Sequence, residues 1–214
     1  MNKLILRQSK IISNSKIRLK PVGLWCVDLI GELATDDEVT RYLRWEPPRN
    51  IREAEEFVLD CEGKCSSEIE YYWGIEIVDQ QKPVGIIRIF SVDKMTSSFA
   101  LGTWLLPMAW GQGVNHLAKG IILETMFMLL GFERVWCRAQ AENIRSRRAL
   151  EKLLFRQIEY RKNGRCISGV YYDEVFYELT KEEYLKCGRW GYDPAMQIIS
   201  TNGSVFTLAE EGIL

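Results

Sequence analysis

The segment Leu105-Leu106-Pro107-Met108-Ala109-Trp110-Gly111-Gln112-Gly113-Val114-Asn115-His116 is where residue types and spacing say most about chemistry. An apolar run stops at a proline, two glycines let the backbone turn without a Cβ clash, and an apolar stretch follows that reads as a helix from about Val114 to Leu130. The first turn of a helix leaves N–H groups unpaired, and with the helix dipole they attract phosphate oxygens without any net protein charge. Two glycines before a helix also make an ordinary turn. Neither a Gly-Lys-Ser/Thr phosphate loop nor the third glycine of the dinucleotide fingerprint is present. Farther on, Asn143 opens a second helix, where Asn is a good cap, with Ser146, Ala149, Leu150 and Leu153 on one face. Arg145, Arg147, Arg148 and Lys152 outnumber Glu151 there, and read either as an anion site or as a solvated helix face.

Composition narrows the choices. With one histidine, multi-histidine metal sites lack ligands, and any Ser-His or Cys-His nucleophile would have to use His116. Its place in a first helical turn favours a phosphate contact or a surface role over base catalysis. The 28 Lys+Arg and 29 Asp+Glu give a net charge of −1, so no global field holds nucleic acid, and an anionic ligand must be gripped locally. Six cysteines in a chain of 214 residues without a secretory signal read as reduced thiols. Cys61 and Cys65 share a helix but lack a second pair to complete a metal site, and no metal is expected. The longest apolar stretch, Gly120 to Phe132, is interrupted by Glu124 and too short to span a bilayer. A cytoplasmic protein with neither membrane nor nucleic-acid partner is expected.

These residues must be positioned by the elements around them. Lys16 to Val22 alternates as a half-buried strand that Pro21 ends, and Trp25 to Leu43 reads as two short helices with Asp36 or Asp37 as an internal cap. Asn50 caps a clearer helix, with Glu53 at N3 and Ala54, Phe57, Val58 and Cys61 on one face. From Tyr71 the period becomes two. Tyr71 to Ile77, Val84 to Phe90 and Ser97 to Leu106 make an antiparallel meander. After the long helix come a strand at Arg134 to Gln140, the helix from Asn143, and strands at Arg156 to Tyr160 and Val170 to Leu179. The order predicts an α/β domain with a mixed sheet. Lys181 to Lys186 reads as a last helical turn, and Cys187 to Leu214 as a punctuated tail.

In this context the sequence resembles the GNAT N-acyltransferases, and within them the RimJ/RimL-like branch. The resemblance rests on W-G-Q-G-V-N-H-L-A-K from Trp110 to Lys119 and N-I-R-S-R-R-A-L-E-K-L-L-F from Asn143 to Phe155, and runs from about Lys16 to Glu183. Supporting matches are Ile17-Arg18-Leu19, Asp37 to Leu43, Pro83-Val84-Gly85 and Gly131 to Val135. It implies a mostly antiparallel sheet of about seven strands, splayed at an acyl-CoA cleft and flanked by helices. The acyltransferase domain would cover residues 10–183, leaving 184–214 as a C-terminal extension. The implied co-substrate is acetyl-CoA or another acyl-CoA, its pyrophosphate on the amides of Gln112 to His116 and its pantetheine along Trp104, Leu105 and Leu106. Trp110, Gly111, Gly113, Val114, Asn115, Asn143 and Arg148 complete the implied binding set.

For catalysis the resemblance implies Ser146 as proton donor to the leaving thiolate and Asn143 as a positioning amide. Relatives often carry a glutamate just before the glycine of the third meander strand; here the positions read Phe99-Ala100-Leu101-Gly102. Glu76, acting through water, is the replacement base expected, with Asp173 and Glu174 as alternatives, while the hydroxyls of Tyr160, Tyr171 and Tyr172 are alternatives to Ser146 as proton donor. Asn115 and Leu117 also depart from the branch's usual small residue and glutamate. The expected enzyme is an acyl-CoA-dependent N-acetyltransferase acting by direct attack on a small amine or a peptide N-terminus. The competing expectation is a CoA-binding module with lost or altered transfer, and a homodimer stays open.

Overall fold

A computed structural model describes residues 11–43, 46–199 and 205–207. Its centre is one sheet whose strands are β1 (Ile11–Ser13), β2 (Ile17–Pro21), β3 (Tyr71–Ile77), β4 (Lys82–Asp93), β5 (Ser98–Leu105), β6 (Arg134–Gln140), β7 (Arg156–Ile167), β8 (Val170–Thr180), β9 (Gln197–Ile199) and β10 (Val205–Thr207). The order across the sheet is β10-β9-β1-β2-β3-β4-β5-β6-β8-β7. Every neighbouring pair is antiparallel except β5 and β6.

The mixed α/β fold is the one expected, but the sheet has ten strands where about seven were anticipated. The three additions are β1, β9 and β10, each of three residues, too short to display a period of two. Strand β7 also runs on to Ile167, past the expected end at Tyr160.

Helices cover both faces. On one lie α1 (Val27–Thr35), α2 (Asp37–Thr40) and α3 (Ile51–Ser66), whose Leu29, Leu33, Val39, Ala54 and Val58 pack on Tyr72 and Ile86 of the sheet. Their starts follow side-chain chemistry: Asp36 accepts from the amides of Glu38 and Val39, and Asn50 from that of Glu53. On the other face lie α4 (Val114–Leu123), α5 (Ile144–Lys152) and α6 (Lys181–Lys186). Ile121, Ile122, Phe127, Leu150 and Tyr184 from this side meet Trp73, Ile75, Ile87, Phe99 and Val135. Strand alternation thus serves two cores, which is why both faces of β3 are apolar. Cys26, Cys61 and Cys137 are buried free thiols and Cys65 is half-buried. No helix among the described residues is long and apolar enough to cross a membrane.

Beyond α4 the chain widens into a π-helical turn over Glu124–Leu129, with the Leu130 amide donating to the Thr125 carbonyl at 3.1 Å. Glu124, fully buried, accepts from Arg189 at 2.6 Å and from the Tyr184 hydroxyl at 2.5 Å. Thr180 starts α6 with a reciprocal capping box to Glu183. The described residues from 184 to 199 are therefore built into the main body: Met196 and Ile198 are buried, β9 pairs with β1, and Gly191 lies against Gly120.

That last contact sets two effects against each other. A Cβ on Gly120 would come within 2.6 Å of the Gly191 Cα, whereas one on Gly63 in α3 would meet nothing within 4 Å. Both changes to alanine gain helix propensity of up to about 1 kcal/mol. Backbone cannot yield cheaply, so Gly120→Ala is expected to destabilise by about 1–3 kcal/mol. Gly63→Ala should instead stabilise, and urea denaturation of the pair tests the contact between the C-terminal segment and α4.

Candidate active site

The sheet opens at its one parallel junction. Strands β5 and β6 pair only from Ser98↔Arg134 to Ala100↔Trp136. Beyond this, β5 follows β4 as far as Gly85↔Leu105 and β6 follows β8 as far as Gln140↔Glu174, so the two diverge. A cavity of about 280 Å³ fills the opening, bounded by β4, β5, β6, the start of α4 and the first turns of α5. Because side chains alternate, Leu101, Thr103 and Cys137 line it on the α4 side, and Gly102, Trp104 and Arg138 on the α1 side.

At its mouth stands the N-terminus of α4. Gly111 and Gly113 adopt φ of 74° and 78°, a region that costs other L-residues about 1–2 kcal/mol. A Cβ at either would meet nothing within 4 Å, so glycine is there for conformation, and the loop face is open. The first intrahelical donor is Leu117, bonding Gly113 at 3.0 Å, which leaves the amides of Val114, Asn115 and His116 ahead of it. The loop is held by the Trp110 indole N–H, which donates to the Leu105 carbonyl at 2.9 Å, and by Gln112 Nε2 donating to Met108 at 2.6 Å. The Arg145 guanidinium lies 3.2 Å from the centroid of the Trp110 ring.

The structure brings most expected residues together. Trp104, Leu105, Trp110, Gly111, Gly113, Asn115, Asn143 and Ser146 all line the cavity. Asn143 caps α5 by accepting from the Ser146 amide at 3.0 Å, fixing both at its edge. Asn115 Oδ1 is buried there without a hydrogen-bond partner among the described residues.

Other expectations are corrected. Glu76 is not at the cleft: it is buried on β3, paired with Arg18 at 2.7 Å and Lys20 at 3.6 Å across the β2 register. Arg148 is exposed and outside the lining, and Arg145 takes the cleft position instead, while Arg147 turns to Tyr177 and the Ala141 carbonyl. The His116 ring packs at a tilt against Trp190, centroids 4.6 Å apart, leaving its backbone at the helix end. The side chains of Val114 and Leu106 are buried in the core and that of Gln112 bonds within the loop, so what these positions offer the cleft is backbone, as the expected amide and strand-edge contacts require. Asp173 binds Tyr160 and the Asn163 amide on the exposed β7–β8 pair. Glu174 is buried beside Arg138, where burial pushes its carboxyl above the usual range.

Three cleft residues went unnoticed: Arg88, Lys119 and Arg138. The signal was a charge inside an apolar run, VGIIRIF for Arg88 and VNHLAKGIIL for Lys119. Lys119 is 4% exposed, and its Nζ donates to Thr103 Oγ1 at 2.6 Å. Desolvation lowers its pKa, opposed by the Cys137 thiol, which burial itself pushes up to about 11. Among the described residues, no carboxylate or imidazole lines the cavity.

Comparison with known proteins agrees with this geometry. A family model described as an acetyltransferase (GNAT) domain matches residues 19–156, from β2 through α5. The chain is 22% identical over 171 residues to the uncharacterized N-acetyltransferase YoaA of Bacillus subtilis, covering 80% of this chain and 97% of that one. A GCN5-related N-acetyltransferase from Brucella melitensis superposes with a TM-score of 0.76 at 20% identity, covering 95% of this chain and 94% of its own. Spermidine N-acetyltransferase from Vibrio cholerae, solved with CoA and spermine, gives a TM-score of 0.69 at 19% identity, covering 80% and 99%. At these identities the solved structures show the fold.

The Lys119 environment has a pH signature. A lysine whose pKa is lowered on folding binds its proton in the unfolded chain at pH values where the native protein has lost it, so its contribution to stability rises with pH up to the unfolded value. Cys137 works oppositely, its raised pKa removing stability as pH climbs through that of the unfolded thiol. Subtracting Lys119→Met isolates the lysine. The stability of the wild type minus that of the variant is expected to rise as the pH climbs toward the unfolded lysine value of about 10.4, and a flat difference in urea titrations would remove the buried-amine assignment.

Proposed function

Because the chain belongs to the GNAT acetyltransferase family, we propose that it moves an acetyl or other acyl group from acyl-CoA to a primary amine, of a small molecule or a peptide N-terminus, by direct attack in a complex holding both substrates. The observation that carries this reading is the meeting, in one cavity, of an open helix N-terminus and the diverging edges of β5 and β6. The residues present fit the co-substrate: two glycines in the left-handed region bare the amides of Val114 to His116 for phosphate, and Arg145 stands beside them. The freed edge of β5 from Trp104 to Leu105 suits an extended amide-bearing arm.

Acyl-CoA supplies an activated thioester carbon; the acceptor nitrogen bonds to it as the C–S bond breaks. Ser146 is placed to pass its hydroxyl proton to the departing thiolate while taking one back from water, and Asn143 to hold α5 in position. With no carboxylate or imidazole in the lining, the acceptor must enter as the free amine and release its second proton to water. The same observation favours one competing reading, a CoA-binding module without transfer.

Two measurements decide. Calorimetry with acetyl-CoA is expected to show saturable binding below millimolar concentration, lost in Gly113→Trp with circular dichroism unchanged; absence of binding to the wild type ends the transferase reading. Thiol release across an amine panel should then exceed background, and Ser146→Ala should lower it on the order of 10- to 100-fold. Without a protein base, kcat/KM should climb about tenfold per pH unit until the pKa of the amine itself is reached.

A further inference from the structure

The acceptor side of the cleft is built from cations around an aromatic ring. Arg88 projects from β4 and lies across β5 where Gly102 has no side chain: a Cβ there would come within 3.3 Å of Arg88 Nε and 3.7 Å of the Phe90 ring. The guanidinium carbon of Arg88 is 4.3 Å from the centroid of Phe90, and that of Arg138, arriving from β6, is 5.9 Å from the same ring. The Nε atoms of Arg88 and Arg138 are buried with no hydrogen-bond partner among the described residues. Both side chains line the cavity, and both are planar donors suited to a carboxylate or phosphate.

Their charges are only partly answered. Arg88 Nη1 reaches Glu70 at 3.3 Å and the Tyr72 hydroxyl at 3.3 Å. Arg138 faces the buried Glu174, but Arg165 and Arg161 act on it with the same sign as its own. Neither Glu70 nor Glu174 is part of the lining, which contains Arg88, Lys119, Arg138 and Arg145 and, among the described residues, no acidic one. Arg145 lies against the Trp110 ring of the glycine loop, whereas Arg88 from β4 and Arg138 from β6 both approach the ring of Phe90. A polycationic amine would add positive charge to this wall without a carboxylate to meet it.

We infer that the acceptor is an amine that also carries an oxyanion, a carboxylate or a phosphate, clamped by Arg88 and Arg138 across Phe90. The inference rests on the transferase reading above and names the acceptor class for the same cleft. Phe90 fixes the spacing of the two guanidiniums, and the anion they hold orients the amino group toward the β5–β6 gap.

The test uses matched pairs with acetyl-CoA: tyrosine against tyramine for the carboxylate, phosphoethanolamine against ethanolamine for the phosphate, and spermidine as the cationic contrast. Thiol release is expected to favour the anionic member of at least one pair by about tenfold or more in kcat/KM, the favoured pair naming the oxyanion. Arg138→Met should collapse that ratio toward one through KM, Arg138→Lys should restore part of it, and Arg88→Met should act in the same direction. Retained CoA affinity shows that each variant is folded. A preference for spermidine or for the uncharged members, or a ratio that survives both methionine variants, overturns the inference.

If no amine is turned over, the same charge preference is read by calorimetry of N-acetyltyrosine against N-acetyltyramine, and of N-acetylphosphoethanolamine against N-acetylethanolamine, with and without CoA. Tighter binding of an acid supports the clamp, and equal or weaker binding of both acids overturns it. Failure to bind CoA in that titration counts against the transferase reading instead.

Discussion

Strands β5 and β6 are each held more firmly by an outer partner than by one another. β5 is tied to β4 from Phe90↔Ala100 to Gly85↔Leu105, and β6 to β8 from Arg134↔Thr180 to Gln140↔Glu174. Three register pairs join them at the base, and the strand twist then carries them apart. An opened sheet exposes backbone groups that would be costly if buried unpaired. Trp110 answers part of this by donating to the Leu105 carbonyl, and in doing so pins the glycine loop that sets the start of α4. The cavity, the orientation of the helix end and the convergence of side chains from three strands all follow from that early end of pairing.

The long helix carries two buried charges with opposite consequences. Glu124 has a full set of partners, Arg189 and Tyr184, and it fastens the C-terminal segment behind the helix. Removing one member of such a pair leaves an uncompensated buried charge, a loss of about 3–5 kcal/mol. Lys119, five residues earlier, has the Thr103 hydroxyl and no ion pair among the described residues. The first is explained by the fold it stabilises. The second is desolvated beside the cavity, where the fold alone gives it no counter-charge.

Much of this was legible in the sequence because local rules and the global fold agree. Asn50, Asn143 and the meander from Tyr71 onward occupy the roles that capping and alternation predict. The three-residue strands were not legible, since their identity depends on pairing partners far along the chain. Glu76 shows another limit: alternation gives its face of the sheet but not its distance from the gap, which the register with Arg18 decides. The choice between Arg145 and Arg148 needs the docked orientation of α5, for three positions shift a helical side chain by most of a turn. Charges inside apolar runs were visible throughout, and their meaning depended on whether a partner lay opposite.

The departure at Ala100 and the cationic wall are one feature. Ala100 is opposite Phe90 in the register, and alternation places it on the same face as Gly102 and Trp104. A glutamate there, as the family resemblance leads one to expect, would set a carboxylate beside the ring that Arg88 and Arg138 flank, and would neutralise them in place. Glycine at 102 leaves room for Arg88 to cross β5, and alanine at 100 adds no carboxylate to a guanidinium that Glu70 only partly answers. The chain as a whole is almost neutral, at −1, so this positive character is made locally, by omitting one carboxylate and two side chains' worth of bulk from a single strand. Loss of the usual base and gain of an anion-binding acceptor wall are then consequences of the same short stretch of β5.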